Sequence, residues 1–131
     1  MGAWGTAAFD NDDASDWVYD LEKRGVDAIE SALSDALAAT ELAMPTDVNA
    51  IAAGEVIAAA LGHPAAGLRE DVLELANAVA PDITADHAGR ARAAAERALA
   101  ASEVADLWRE APDDDVEWQR MVGDLIERLG R

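Results

Sequence analysis

Apolar residues recur at helical spacing over most of the chain, and no run alternates with period two or is rich in β-branched and aromatic residues, as strands would be. The pattern predicts an all-α fold: a compact helical bundle of six to seven helices around a central apolar helix at about 47–61. The first helix is expected to start near Asp12 or Asp13 and to stop before Gly25, with Trp17, Leu21 and Val18 inward. The second runs from about Val26 to Leu42, with Val26, Ile29, Leu33 and Leu37 on one stripe. Pro45 breaks the chain, and Thr46 is a suitable cap for the third helix, Asp47 to Leu61.

Between Val48 and Leu61 that third helix is apolar on every side except at Asn49 and Glu55, which predicts a helix surrounded by others. Gly62-His63-Pro64 ends it. A fourth helix is expected over Leu68–Val79 with Val72, Leu75, Ala76 and Val79 inward, and Pro81 closes it. Thr84 caps a fifth, through Ala101, whose apolar face is nearly all alanine with Leu99 as anchor; Asp86 and Arg90 form a favourable helical pair, and Arg97 shares their face. A short segment from Ser102 to Glu110 either continues it with a bend or stands alone. Pro112 and Asp113-Asp114-Asp115 read as a turn before the last helix, Val116–Leu129, with Trp118, Val122, Leu125, Ile126 and Leu129 on one stripe.

Residues 1–9 have no such period. They hold Gly2, Trp4, Gly5 and Phe9, and are expected to form an ordered arm that tucks its aromatics against the helices, the glycines supplying backbone freedom. This opening, Met1-Gly2-Ala3-Trp4-Gly5 followed by Phe9, Asn11, Asp12, Asp16 and Trp17, resembles an uncharacterised bacterial family, domain of unknown function 4259. The stretches 52–59, 102–108 and 118–129 resemble it as well, so the likeness extends over nearly the whole length; Gly54 departs from the expected Ala. No activity is assigned to the family, and the resemblance implies none.

The size of the chain, 131 residues, fits one domain, 1–131. Hydrophobic residues make up 51% of it but only 5% are aromatic, which favours a thin core with closely spaced backbones. The net charge of −17 repels phosphate and excludes direct nucleic-acid binding. It favours a basic protein partner, or serves solubility alone. Disulfides, thiolate metal sites and a cysteine nucleophile are excluded, because there is no cysteine. The longest apolar stretch, Val56–Gly62, is too short to cross a bilayer, and the start lacks a signal-peptide pattern, so a cytoplasmic location without membrane attachment is expected. Met1-Gly2 with Thr6 meets the minimal myristoylation pattern, but no basic second anchor follows.

Glu55 is the sharpest anomaly, since a carboxylate inside a central helix is costly unless paired or hydrogen-bonded. Its expected donors are the Trp4 indole, the Asn11 amide, arm glycine N–H groups, or an arginine such as Arg97. The functional alternative makes Glu55, with Asp12 and Asp16, a general acid or base in a cleft, with or without a divalent ion. The acidic run from Asp10 fails as an EF-hand, because Ala14, Ser15 and Leu21 stand where a ligand, a glycine and a glutamate are needed. His63 and His87 lack a zinc or di-iron spacing and read as solvent-facing or capping residues. With no serine-elbow or phosphate-loop motif, no cofactor is expected. Trp17, Trp108 and Trp118 read with Trp4 as core anchors, or one or two of them with Met121 as a partner patch. Three readings result: a binder of a basic protein, such as an immunity-type protein; a carboxylate enzyme; and a homo-oligomer paired through the last helix's stripe.

Overall fold

A computed structural model describes residue 5 and residues 7–131, so Gly2 and Trp4 of the opening lie outside it. Seven α-helices follow one another: α1 Asp12–Arg24, α2 Val26–Ala38, α3 Thr46–Ala60, α4 Glu70–Val79, α5 Ala85–Ala100, α6 Glu103–Arg109 and α7 Pro112–Leu129, with a 3-10 turn at Ala80–Asp82. No β-sheet forms among the described residues.

The centre of the bundle is α3. From Asp47 to Ala59 all its residues but Asn49 are buried, and it packs against each of the other six helices. Small side chains make this geometry available. The buried face of α5 is Ala88, Ala91, Ala94, Ala95 and Ala98 beside His87, and it lies on the alanines of α3, so the two backbones approach closely. Leu99, the expected anchor of that face, is only half-buried. Gly54 of α3 serves the same end on another side: a Cβ there would meet Leu125 of α7 at 3.2 Å and Leu129 at 3.7 Å. The glycine that departs from the family-like pattern thus sits directly against Leu125 and Leu129 of α7.

Several boundaries differ from the expectation. The second helix stops at Ala38 rather than near Leu42, because Arg97 of α5 takes its terminal carbonyls: its guanidinium donates to Ala36 O (2.7 Å), Ala39 O and Thr40 O (3.0 Å). Leu37, placed on the inward stripe by periodicity, is 40% exposed, whereas Leu42 is buried in the loop beyond. Thr46 is the first residue of α3 and not its cap. The last helix begins a turn early, at Pro112, so the expected turn of three aspartates is its first turn: proline fits a first helical position and aspartates meet the positive end of the helix dipole. The short segment stands alone as α6, capped by Ser102, which accepts from Ala105 N–H and donates to Ala98 O.

Gly25 joins α1 and α2 without a loop residue to spare. Its φ of +57° and ψ of −130° lie where side chains clash with the backbone, while its N–H donates to Leu21 O at 2.8 Å. Gly25→Ala is expected to cost about 1–2 kcal/mol, read as a lowered urea midpoint with an unchanged slope.

Trp17 and Trp118 are buried and Trp108 is half-buried among core residues. Ala8 and Phe9 of the arm are buried too, and Asp10 N–H closes a turn onto Ala7 O. A Cβ at Gly5 would meet the Asp10 carboxylate, so a larger residue there would require that side chain to move.

Candidate functional site

Glu55 is 2% exposed, and its partner is Arg128 of α7: Nη2 lies 2.7 Å from Glu55 Oε1. Neither Asn11 nor Arg97 supplies it, and the expected Trp4 indole lies outside the described residues; Asn11 caps α1 by accepting from Ala14 N–H and donates to Ala8 O, and Arg97 closes α2. The contact is a buried ion pair, and among the described residues no donor besides Arg128 reaches Oε1. Arg128 is further held by Nε on Asp124 Oδ2 at 2.7 Å and Nη1 on His63 O at 3.1 Å. Burial pushes the Glu55 carboxyl above its usual range, and Arg128 draws it only part of the way back.

A cavity of about 250 Å³ opens beside this pair. The arm contributes Phe9 and Asp10, the α3–α4 loop Leu68 and Arg69, and α7 Met121 and Asp124, with Glu55 and Arg128 in the same wall. Arg69 is held by Asp71 (3.1 and 2.7 Å) and reaches Ser15 Oγ at 3.3 Å, and this arginine keeps the Asp71 carboxyl below its usual range. Asp12 and Asp16 are not in this wall. Both are exposed on α1, so the structure does not bring them together with Glu55. Among the described residues no group of three His, Asp or Glu side chains has the arrangement of a metal site.

A second buried acid escaped the sequence reading. Asp47, at the start of α3, is fully buried: Oδ1 accepts from Val48 N–H at 2.7 Å, and Oδ2 accepts from Val104 N–H at 2.8 Å. The second bond satisfies the first turn of α6, and Glu103 returns the favour, accepting from Met44 N–H at 2.8 Å while its own N–H donates to Leu42 O. Burial pushes the Asp47 carboxyl from 3.8 up to about 6, against the pull of the two N–H groups.

His87 is also buried, and therefore not solvent-facing. Its Nδ1 accepts from Thr84 N–H at 3.0 Å in a capping box, which leaves the proton on Nε2, 2.6 Å from Glu30 Oε1. Arg90 binds the other Glu30 oxygen at 2.7 Å and Ser34 Oγ at 3.1 Å, clamping α5 to α2. Arg90 and then His87 hold the Glu30 carboxyl below its usual range. The bonds made by each member of this cluster are those of a clamp.

The surface is divided unevenly between the two signs of charge. Every arginine except Arg97 and Arg120 forms an ion pair among the described residues, while Asp12, Asp13, Asp16, Glu41, Glu70 and Glu74 stand without a cation. Along α1 the exposed positions Asp12, Asp16, Tyr19 and Lys23 fall one or two turns apart on one outward stripe, with Tyr19 64% exposed. The apolar stripe of α7 is not such a surface, because Trp118, Val122, Leu125 and Leu129 are buried in the chain's own core.

A family model described as Domain of unknown function (DUF4259) matches residues 2–121. No curated protein and no solved structure matches the chain. The matched span includes Asp47, Glu55 and the arm, and ends before Asp124 and Arg128.

Proposed function

The chain belongs to the DUF4259 family, and we propose that it acts by binding a basic protein partner, with the outward face of α1 as the contact. The observation that carries this reading is the exposed Tyr19 one turn after Asp16 and two turns after Asp12, two carboxylates without an ion-pair partner among the described residues, on a stripe whose one cation is Lys23. An isolated tyrosine on an acidic helix face offers ring area and a polar tip to a lysine or arginine, and its carboxylate neighbours attract the same groups. The internal pairing of most arginines supports it further, since the negative field is then left unanswered on the outside. An immunity-type protein that neutralises a cationic protein is one member of this class. The carboxylate enzyme is the weaker reading, because two of its three residues stand on the surface of α1 and the third is tied to Arg128.

The test is affinity capture on the immobilised protein from cells that encode it, followed by titration of the captured protein. The expected result is a basic protein whose dissociation constant rises at least about tenfold when salt increases from low to moderate levels, and whose binding is lost in a triple variant, Asp12→Asn with Asp16→Asn and Tyr19→Ala. An association insensitive to salt, or unchanged in the triple variant, would sink the proposal.

A further inference from the structure

We propose that the cavity between the arm, α3 and α7 is a binding site for an organic cation, an ammonium or guanidinium head on a short aliphatic stem. Its charge balance sets the sign. Asp10, Glu55 and Asp124 face it against Arg128, and Arg69 is neutralised by Asp71, so the walls carry an excess of negative charge. Arg128 is already flanked by the two carboxylates Glu55 and Asp124, which offset its charge and disfavour a further anion. Glu55 is nearly wholly buried in the wall and shares its one close cation, Arg128, with Asp124, so a second cation nearby relieves both carboxylates across a medium that screens poorly. The rest of the lining, with Phe9, Leu68 and Met121, is apolar and suits methylenes. Its volume of about 250 Å³ is below that of drug-sized sites and matches one side chain or a small amine.

This inference deepens the reading above where the cation is a lysine or arginine of a partner. Its own test uses free cations, so that each can fail alone. The intact protein is titrated with n-butylammonium and n-butylguanidinium, following the Met121 methyl and Phe9 ring resonances, with butyrate as the anionic control. Saturable shifts are expected with both cations, or with one, and none with butyrate. The dissociation constant is expected to rise at least about tenfold in Asp10→Asn and in Glu55→Gln. Should Glu55→Gln unfold, Asp10→Asn and Phe9→Ala carry the test. Short capped peptides with a single Arg or Lys then separate the two sources: peptide binding at the same resonances means a partner's side chain, and binding of the free cations alone means a small amine. No saturable shift with either cation up to about 10 mM, equal binding of butyrate, or indifference to Asp10→Asn would overturn the proposal. Failure here leaves the salt-sensitive association of α1 standing, and loss of that association leaves the cavity's affinity for free cations unaffected.

Discussion

Replacing Arg128 with methionine is expected to destabilise the fold by about 3–5 kcal/mol at neutral pH. The substitution keeps an unbranched apolar stem but leaves Glu55, 2% exposed in the middle of α3, as a buried charge with no counter-ion and no hydrogen-bond donor to Oε1. It also strips His63 O of its donor, while Asp124, already exposed, returns to water at little expense. The signature is in the pH dependence. Burial already raises the Glu55 carboxyl, and removal of Arg128 raises it further, so the variant's deficit should shrink as pH falls and the folded state takes up a proton there. Adding Glu55→Gln to Arg128→Met should recover a large part of the loss at neutral pH, because a neutral amide is cheaper to bury than a charge. Urea unfolding of the two single variants and the double variant at neutral and mildly acidic pH checks this. A deficit independent of pH, with no recovery in the double variant, would show that packing of the arginine stem dominates and the charge does not.

Asp47→Ala is expected to cost about 2–4 kcal/mol. The alanine leaves Val48 N–H and Val104 N–H without acceptors in a fully buried setting and opens space beside them. The consequence is local as well as global, because Val104 N–H belongs to the first turn of α6, so that helix should lose its hydrogen-exchange protection before the others do. The wild-type pH profile gives a second handle. With the carboxyl near 3.8 unfolded and about 6 folded, the folded state holds the extra proton between these values. The contribution of Asp47 is therefore fully present below about pH 4 and is lost as pH rises through 6, a difference of about 3 kcal/mol. Glu30 and Asp71 act in the opposite sense, with depressed carboxyls whose contribution is lost as pH falls, but both are well exposed and contribute less. Asp47→Asn removes the titrating group and should flatten the segment between pH 4 and 6. It keeps one acceptor and turns an amide N–H₂ toward a backbone N–H, so its stability should fall between those of the alanine variant and the wild type. A wild-type profile that rises between pH 4 and 6, unchanged in Asp47→Asn, would refute the assignment.

Between Glu55 and Asp47 lies the limit of what could be read in advance. Glu55 declared itself because it interrupts an apolar helix on every face, and a charge there needs a partner wherever the chain is found. Its partner did not, since Arg128 looks in sequence like an arginine placed at a helix end for the dipole, and only the crossing of α7 over Gly54 carries it inward. Asp47 gave no signal at all. An aspartate in the first turn of a helix is ordinarily a solvated dipole partner, and it is buried here because the α5–α6 junction folds over the start of α3.

The sequence by itself determined the helices, most of their breaks, the central place of α3 and the sign of the surface. These depend on local periodicity, on Pro and Gly, and on composition, all of which act over a few residues or over the whole chain at once. Only the tertiary structure decided that Arg128 answers Glu55, that Arg97 ends α2 four residues early, that Asp47 caps α6, and that Asp12 and Asp16 face outward along α1 while a cavity opens by Glu55. All of these but the outward facing of Asp12 and Asp16 join residues far apart in the chain. Which of several equivalent arginines or carboxylates meets which depends on the angles at which alanine-faced helices cross, and helical periodicity does not encode those angles.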